Sequence, residues 1–231
     1  MKTDSKYIAS TTTLEGRIAD LLDGRTLKIR LGGVKEKKAL EIWGQLTKRT
    51  AAICHLFDMD DPGSEVCVLN ASKTDIETSD EFKQALRICE AYLIRTGNLF
   101  DISSGSGDKL DFSIFTRAYI VRELASIVRK AGVKDALLDL DREVVWAIGN
   151  QPYSKGWTLA LIDPETEDEA GEFTLEGASA VICWNGGVPE VIFGKDPLDT
   201  HVFAQVRGRA NANLVKDMNS MLSITSVQKY D

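Results

Sequence analysis

The part of the sequence that most restricts the fold is a run of short β-strand patterns between residues 136 and 193. Each segment is rich in apolar or β-branched residues and ends near a turn or loop sequence, as seen at 136–140, 144–148, 157–162, 173–175, 180–184 and 191–193. The Asn185-Gly186-Gly187 sequence predicts a hairpin turn, because short hairpin loops favour Asn-Gly. Consecutive strands joined in this way predict a mainly antiparallel sheet.

Three segments ahead of this run, 35–57, 79–96 and 114–131, have the apolar period of amphipathic helices. Thr78 and Glu81 have the spacing of a capping box, while Gly97 and Gly132 stand where left-handed C-terminal caps would end helices. This arrangement predicts the α+β class, as a single domain over residues 1–231 with helices packed on the sheet. An N-terminal strand at 26–31, a helix within 209–222 and a strand at 224–227 complete the expected elements.

The composition excludes several classes of function. The formal charge of −7 over 231 residues argues against a nucleic-acid partner, and no apolar run reaches the length of a membrane span. Four widely spaced cysteines have no paired zinc spacing and predict free, buried thiols. With no signal peptide at Met1, the expected location is cytoplasmic, or periplasmic if a leader has been removed.

Candidate binding residues on these elements have ordinary explanations. Asp111 and Arg117 flank a helix start, where a carboxylate is favourable by itself and an arginine can contact a phosphate. From these residues alone, a charge preference plus a surface arginine is the favoured interpretation. The polar loop at 103–107 offers backbone donors for an anion but lacks the ending of a phosphate loop, so a plain connector is favoured.

Three short motifs in order along the chain resemble a known family. They are SEVCVLN at 64–70, GNLFDI at 97–102, and the segment 110–119, which reads LDFSIFTRAY. Together they are similar to motifs of the ApbE family, the FAD:protein FMN transferases formerly called thiamine biosynthesis lipoproteins. The resemblance covers most of residues 60–227 and implies the ApbE-like fold, a flavin ligand and magnesium-dependent transfer of FMN to a Thr or Ser of a partner protein.

The resemblance also implies where a flavin or adenine nucleotide would bind. The matching polar positions are Asp101, Asp111, Arg117, Tyr119, Asn185 and His201. His55 lies within a helix, where a surface or partner-satisfied histidine is the usual explanation. No catalytic triad can be assembled from the spacing.

Several departures from the family pattern predict a loss of activity. The paired glycines of the family's flavin motif correspond to Ser113 and Ile114, and acids at Asp139 and Asp141 lie in a segment where the family has glycines. The family's magnesium-binding helix would begin after Val227, so no catalytic or metal residue is expected, and Mg²⁺ binding is not expected.

The favoured hypothesis is therefore a catalytically degenerate, ApbE-like protein that binds FAD, another flavin, an adenine nucleotide or a partner protein. The alternatives are an active FAD:protein FMN transferase, and a chain that shares only the architecture and binds an unrelated ligand.

Overall fold

The computed structural model describes residues 1–72, 76–103 and 109–230, apart from the side chain of Asp23. Its strands are β1 (Lys2–Ile8), β2 (Thr13–Ala19), β3 (Leu27–Gly32), β4 (Asp135–Leu140), β5 (Val144–Ile148), β6 (Trp157–Ile162), β7 (Glu169–Leu175), β8 (Ser179–Asn185), β9 (Val188–Gly194) and β10 (Ile224–Lys229). Eight of them form one sheet in the order β1-β2-β3-β4-β5-β8-β9-β10, with each neighbouring pair antiparallel. The predicted α+β class with a mainly antiparallel sheet is confirmed.

Six α-helices are described: α1 (Glu36–Phe57), α2 (Glu65–Ala71), α3 (Asp80–Arg95), α4 (Ser113–Lys130), α5 (Pro197–Val206) and α6 (Ala212–Met221). The predictions for α1, α3 and α4 are confirmed to within one residue at each end. The sequence analysis did not assign α2 and α5. In the described part of the chain, no helix combines the length and the apolarity that crossing a bilayer requires.

One face of the sheet is covered by the helices, with an aromatic cluster at their centre. Phe57 of α1 lies 4.8 Å from Phe112 and 5.7 Å from Phe82 between ring centroids, and Phe115 of α4 stacks on Tyr119 at 4.9 Å. All five rings are almost fully buried. The helical apolar period seen in the sequence therefore marks the faces that meet in this cluster.

The opposite face of the central strands is covered by β6 and β7, which pair only with each other. Trp157 and Phe173 pack there with Val145 and Phe193, and the two phenylalanine rings meet edge-on at 5.8 Å. The sequence predicted these two strands as members of the main sheet. Because both faces of β5 are covered, its residues Val144–Ala147 are all buried instead of alternating.

The helix starts show what the family-like motif does structurally. Ser64 caps α2 by accepting a hydrogen bond from the amide of Cys67, and Asn70 exchanges two 2.8 Å hydrogen bonds with the backbone of Leu110. Glu65 accepts a 2.8 Å hydrogen bond from the amide of Ser79. The motif thus fixes α2 against the start of α3 and the segment that leads to α4.

The predicted capping box at Thr78 is wrong by one residue. Ser79 is the N-cap of α3 and accepts from the amide of Phe82, whereas Glu81 pairs with Arg49 at 2.6 Å. The left-handed caps are confirmed, with φ values of +59° at Gly97 and of +70° at the glycine after α4. Most of the predicted polar loop at 103–107 lies outside the described residues.

Candidate functional site

One polar cluster of the described structure joins a single carboxylate to two arginines. Arg117, in the second turn of α4, donates from Nη1 to Oε1 of Glu143 at 3.0 Å, and Nη1 of Arg25 lies 2.5 Å from Oε2 of the same carboxylate. The three side chains are 18 to 27% exposed. We call these residues and the adjacent His201 the arginine–glutamate cluster.

His201 of α5 forms the buried side of this cluster. The imidazole is fully buried, its nearest polar neighbour is the backbone of Ile114, and neither of its nitrogens makes a hydrogen bond of good geometry to a described residue. Burial lowers the pKa of His201 to about 4, while Glu143 raises it and Arg117 lowers it further. The ring is therefore neutral at physiological pH, and its open nitrogens can serve a ligand or a water molecule.

A second ion pair lies beside the cluster, between the C-terminal end of α5 and strand β9. Arg207 binds the carboxylate of Glu190, which is 3% exposed, and Asn185 donates to the same carboxylate at 3.4 Å. The thiol of Cys183 interacts electrostatically with both Arg207 and Glu143, and burial raises its pKa. The two ion pairs are therefore neighbours across the start of β5 and the end of β8.

The structure brings only some of the predicted binding residues together. Arg117 and His201 belong to the cluster, and Asn185 reaches the neighbouring pair. Tyr119 is 4% exposed and packs in the aromatic cluster under α4, where burial raises the pKa of its hydroxyl. Tyr119 follows Arg117 by two residues, which is a rotation of about 200° around the helix axis. The two side chains therefore leave α4 on opposite sides.

The two predicted aspartates are exposed and are engaged by nearby backbone. The carboxylate of Asp101 accepts a 2.8 Å hydrogen bond from the amide of Ser103, which lowers the pKa of Asp101. Asp111 accepts a 2.8 Å hydrogen bond from the amide of Ser113 at the start of α4. Both are local turn contacts, and neither aspartate contacts the arginine–glutamate cluster in the described structure.

The acids of the β4–β5 turn point in different directions. Asp139 points to the opposite face of the sheet and accepts from the amide of Arg142 at 2.7 Å; Asp141 accepts from the amide of Thr26 at 2.9 Å. Glu143 alone turns toward α4. The turn therefore supplies one carboxylate to the cluster, and that carboxylate is already paired.

Arg25 is the cluster residue that sequence reasoning missed. It follows a short 3₁₀ turn and lies just ahead of β3, in a segment with no motif, while its partner Glu143 lies in the β4–β5 turn. No local pattern links two positions that far apart in the chain. Arg25 and Glu143 meet because the start of β3 lies beside the β4–β5 turn in the sheet.

The cluster does not fit a magnesium ion. Mg²⁺ prefers carboxylate oxygens that are free to coordinate it, whereas both oxygens of Glu143 are held by guanidinium groups. A divalent cation there would also be repelled by Arg25 and Arg117. Among the residues that the structure describes, no three His, Cys, Asp or Glu side chains converge in a way that could hold a metal ion.

With the geometry in place, comparison with solved structures identifies the architecture. The chain superposes on the flavin transferase ApbE from Vibrio cholerae with a TM-score of 0.73, over 98% of this chain and 97% of that one, at 9% identity. The chain has the ApbE fold. The Thermotoga maritima ApbE protein gives a TM-score of 0.72 over 94% of this chain and 97% of that one, at 12% identity.

The Pseudomonas stutzeri flavinyl transferase ApbE, in its apo form, gives a TM-score of 0.69 at 12% identity, over 96% of this chain and 89% of that one. No protein-family model and no curated protein sequence matches this chain. At these identities the likeness establishes the fold alone and leaves the chemistry to be argued from the residues.

Proposed function

We propose that this chain is an ApbE-fold protein that binds a flavin or adenine nucleotide at the arginine–glutamate cluster and does not itself transfer FMN. One observation carries the proposal: Glu143 holds both Arg25 and Arg117 above the neutral, unpartnered imidazole of His201. The two arginines can donate hydrogen bonds to an anionic ligand, and the carboxylate of Glu143 competes with that ligand for them.

The support for binding is the donor set. Guanidinium groups bind phosphates through paired, charge-assisted hydrogen bonds, and with two arginines against one glutamate the cluster keeps a net charge of +1 while His201 is neutral. His201 adds two nitrogens without partners among the described residues. A ligand phosphate or carbonyl group can accept hydrogen bonds from the guanidinium groups and from the single N–H of the neutral imidazole if it displaces Glu143 from part of its contacts.

The support for lost catalysis is the same carboxylate. Cleavage of the FAD pyrophosphate requires that the charge on the phosphates be neutralised, which a metal ion does in the family that the sequence resembles. The cluster offers Mg²⁺ no free carboxylate. Ile114, 41% exposed in the first turn of α4, also places a branched side chain where a glycine would allow close approach of a ligand.

The alternative is an active, magnesium-dependent transferase that modifies a Thr or Ser of a partner protein. The observation that favours it is the match to flavin transferases over nearly the full length of both chains. On this alternative, a partner protein or a ligand-induced change would supply the oxygen ligands that the cluster lacks.

Binding is tested by titrating FAD and ADP into the purified protein and into variants. Glu143→Gln releases both arginines and is expected to tighten binding about tenfold, or about 1.4 kcal/mol, whereas Arg117→Ala should weaken it by a similar factor. Arg87→Ala, which removes an exposed arginine of α3, serves as the charge-matched control. Unchanged affinity in both cluster variants would place the site elsewhere.

Catalysis is tested separately with FAD, Mg²⁺ and an acceptor protein that carries the Thr or Ser target. The expected result is no covalent flavin fluorescence on a denaturing gel, with or without the metal ion. Magnesium-dependent labelling by this chain alone would replace the proposal with the active transferase.

A further inference from the structure

A second polar site lies at the far end of the sheet from the arginine–glutamate cluster. Two cavities, of about 380 and 470 Å³, meet at Gly32, Gly33 and Asp135, which line both. Arg25 lies just before β3 and Gly33 just after it, so the six-residue strand separates the two sites by roughly 20 Å. We call the joined cavities the β3-end groove.

One half of the groove is cationic. Lys35 and Lys38, at the start of α1, and Lys134, just before β4, line the larger cavity. All three lysines are exposed, and none forms an ion pair with a described residue. The chain as a whole has a net charge of −7, so these three lysines give the cavity a local charge of the opposite sign.

The two carboxylates near these lysines do not neutralise the positive charge of this half of the groove. Asp135 lines both cavities, but one of its oxygens accepts a 2.8 Å hydrogen bond from the amide of Asn150. Glu36 follows Lys35 in the first turn of α1 and is exposed. Counting Lys35, Lys38 and Lys134 against these two carboxylates leaves one net positive charge at this half of the groove.

The other half is neutral and polar, with one aromatic ring. The smaller cavity is lined by the hydroxyls of the β1–β2 turn and by side-chain amides of the loop after β5: Ser10, Thr11, Thr12, Thr13, Asn150 and Gln151. Tyr153 completes it and is 94% exposed. Hydroxyls and amides that surround one aromatic face are suited to a polyhydroxyl ring, which offers both hydrogen-bonding groups and an apolar C–H face.

The loop after β5 is built to keep this ring in solvent. The amide of Gln151 donates to the carbonyl of Gly156 at 2.9 Å, and the amide of Gly156 donates to Oδ1 of Asn150 at 2.8 Å. Tyr153 at the tip has φ of +68°, a conformation that bulky residues rarely adopt. The backbone therefore holds a strained, exposed tyrosine at the edge of a polar cavity, a pattern typical of ligand-binding loops.

We propose that the β3-end groove binds a phosphorylated sugar, with the phosphate against the three lysines and the hydroxyl-bearing ring against Tyr153. Each cavity has a volume within the range of small-molecule sites. The same chemistry, a phosphate ester on a polyhydroxyl ring, occurs in free hexose phosphates and in the ribose phosphate of nucleotides. The site is independent of the arginine–glutamate cluster.

The first test is calorimetric titration of the full chain with glucose 6-phosphate, ribose 5-phosphate, glucose and inorganic phosphate. Both sugar phosphates should bind at least about tenfold more tightly than glucose or phosphate alone, because only they engage both halves of the groove. The order of the affinities for glucose 6-phosphate and ribose 5-phosphate then distinguishes a hexose phosphate from the ribose phosphate of a nucleotide. If phosphate alone binds as tightly as either sugar phosphate, or if neither sugar phosphate binds, the proposal fails.

Variants locate the binding. The double variant Lys38→Ala/Lys134→Ala should weaken sugar-phosphate binding at least about tenfold, and Tyr153→Ser about fivefold, whereas the exposed-lysine control Lys216→Ala on α6 should change nothing. All are surface changes, and thermal melting checks that each variant is folded. Arg117→Ala should leave the affinities for glucose 6-phosphate and ribose 5-phosphate intact, because neither ligand carries the flavin or adenine that is assigned to the arginine–glutamate cluster. A loss of affinity in that variant, or no loss in the groove variants, would move the ligand out of the groove.

Discussion

At the scale of single residues, His201 is the group whose ionisation is tied most closely to the fold. A buried polar group without a partner costs about 1–3 kcal/mol, a cost that an apolar side chain of similar size would avoid. His201 nevertheless lies fully buried beside Arg117 and Glu143, with both nitrogens open among the described residues. On the proposed function, an imidazole stands at this position because the ligand uses it.

His201 also makes a prediction about pH. Its pKa is lowered from 6.5 to about 4 in the folded chain, so between these values the unfolded chain binds a proton that the folded chain does not. Stability is therefore expected to fall as the pH drops from 6.5 toward 4, by about 3 kcal/mol in total. Urea unfolding at several pH values measures this loss.

The control compares the two histidines of the chain. His201→Leu should remove this part of the pH dependence, whereas His55→Gln, which changes an exposed ring beside Asp61, should retain it. If wild type and His201→Leu lose stability in parallel as the pH falls, the neutral, buried imidazole is contradicted.

The polar residues that sequence reasoning found are those that belong to ordered motifs. Arg117 and His201 were identified because each falls in a segment with a recognisable pattern, and the structure places them together. Arg25 has no such pattern, and its role exists only through its contact with Glu143. The binding roles assigned to the six residues stay predictions until ligands are titrated.

At the scale of elements, apolar periodicity predicted helices well, and cap chemistry predicted their ends less well. The start of α3 offers two adjacent hydroxyls, Thr78 and Ser79, and local spacing favoured the first. Glu81 cannot complete a capping box because Arg49, which also binds Glu123, holds its carboxylate. The ion pair between Arg49 and Glu81, which local spacing does not predict, therefore leaves Ser79 as the N-cap of α3.

The cap assignment predicts unequal effects for two similar substitutions. Ser79→Ala removes the 3.1 Å acceptor of the Phe82 amide and should lower the free energy of unfolding by about 1 kcal/mol. Thr78→Ala should change it by less than about 0.5 kcal/mol, since it leaves the cap intact. Equal losses in urea unfolding of the two variants would return the cap to Thr78.

At the scale of the whole molecule, one sheet separates two hydrophobic cores. The helix-side core includes Cys89 of α3, and the other core lies under β6 and β7 around Trp157. The continuous apolar runs in β4 and β5 indicated buried strands, but they did not show that a separate hairpin covers them. Strand order depends on contacts across the sheet, which no local pattern contains. The predicted cytoplasmic location stays a prediction.

The predicted single domain implies that the two cores unfold together. Trp157→Ala removes a fully buried ring and its 3.0 Å hydrogen bond to the carbonyl of Ile148, and should cost about 3–5 kcal/mol. If the shared sheet couples the cores, that loss must also expose Cys89, which is 3% exposed on the far face. Thiol labelling of Cys89, followed by mass spectrometry of its peptide, should therefore accelerate more than a hundredfold in Trp157→Ala, because every 1.4 kcal/mol is a factor of about ten. Thr158→Ala, an exposed change in the same strand, should leave the rate near wild type. An unchanged Cys89 rate in a measurably destabilised Trp157→Ala would mean that the hairpin core opens by itself and that the chain is not one cooperative unit.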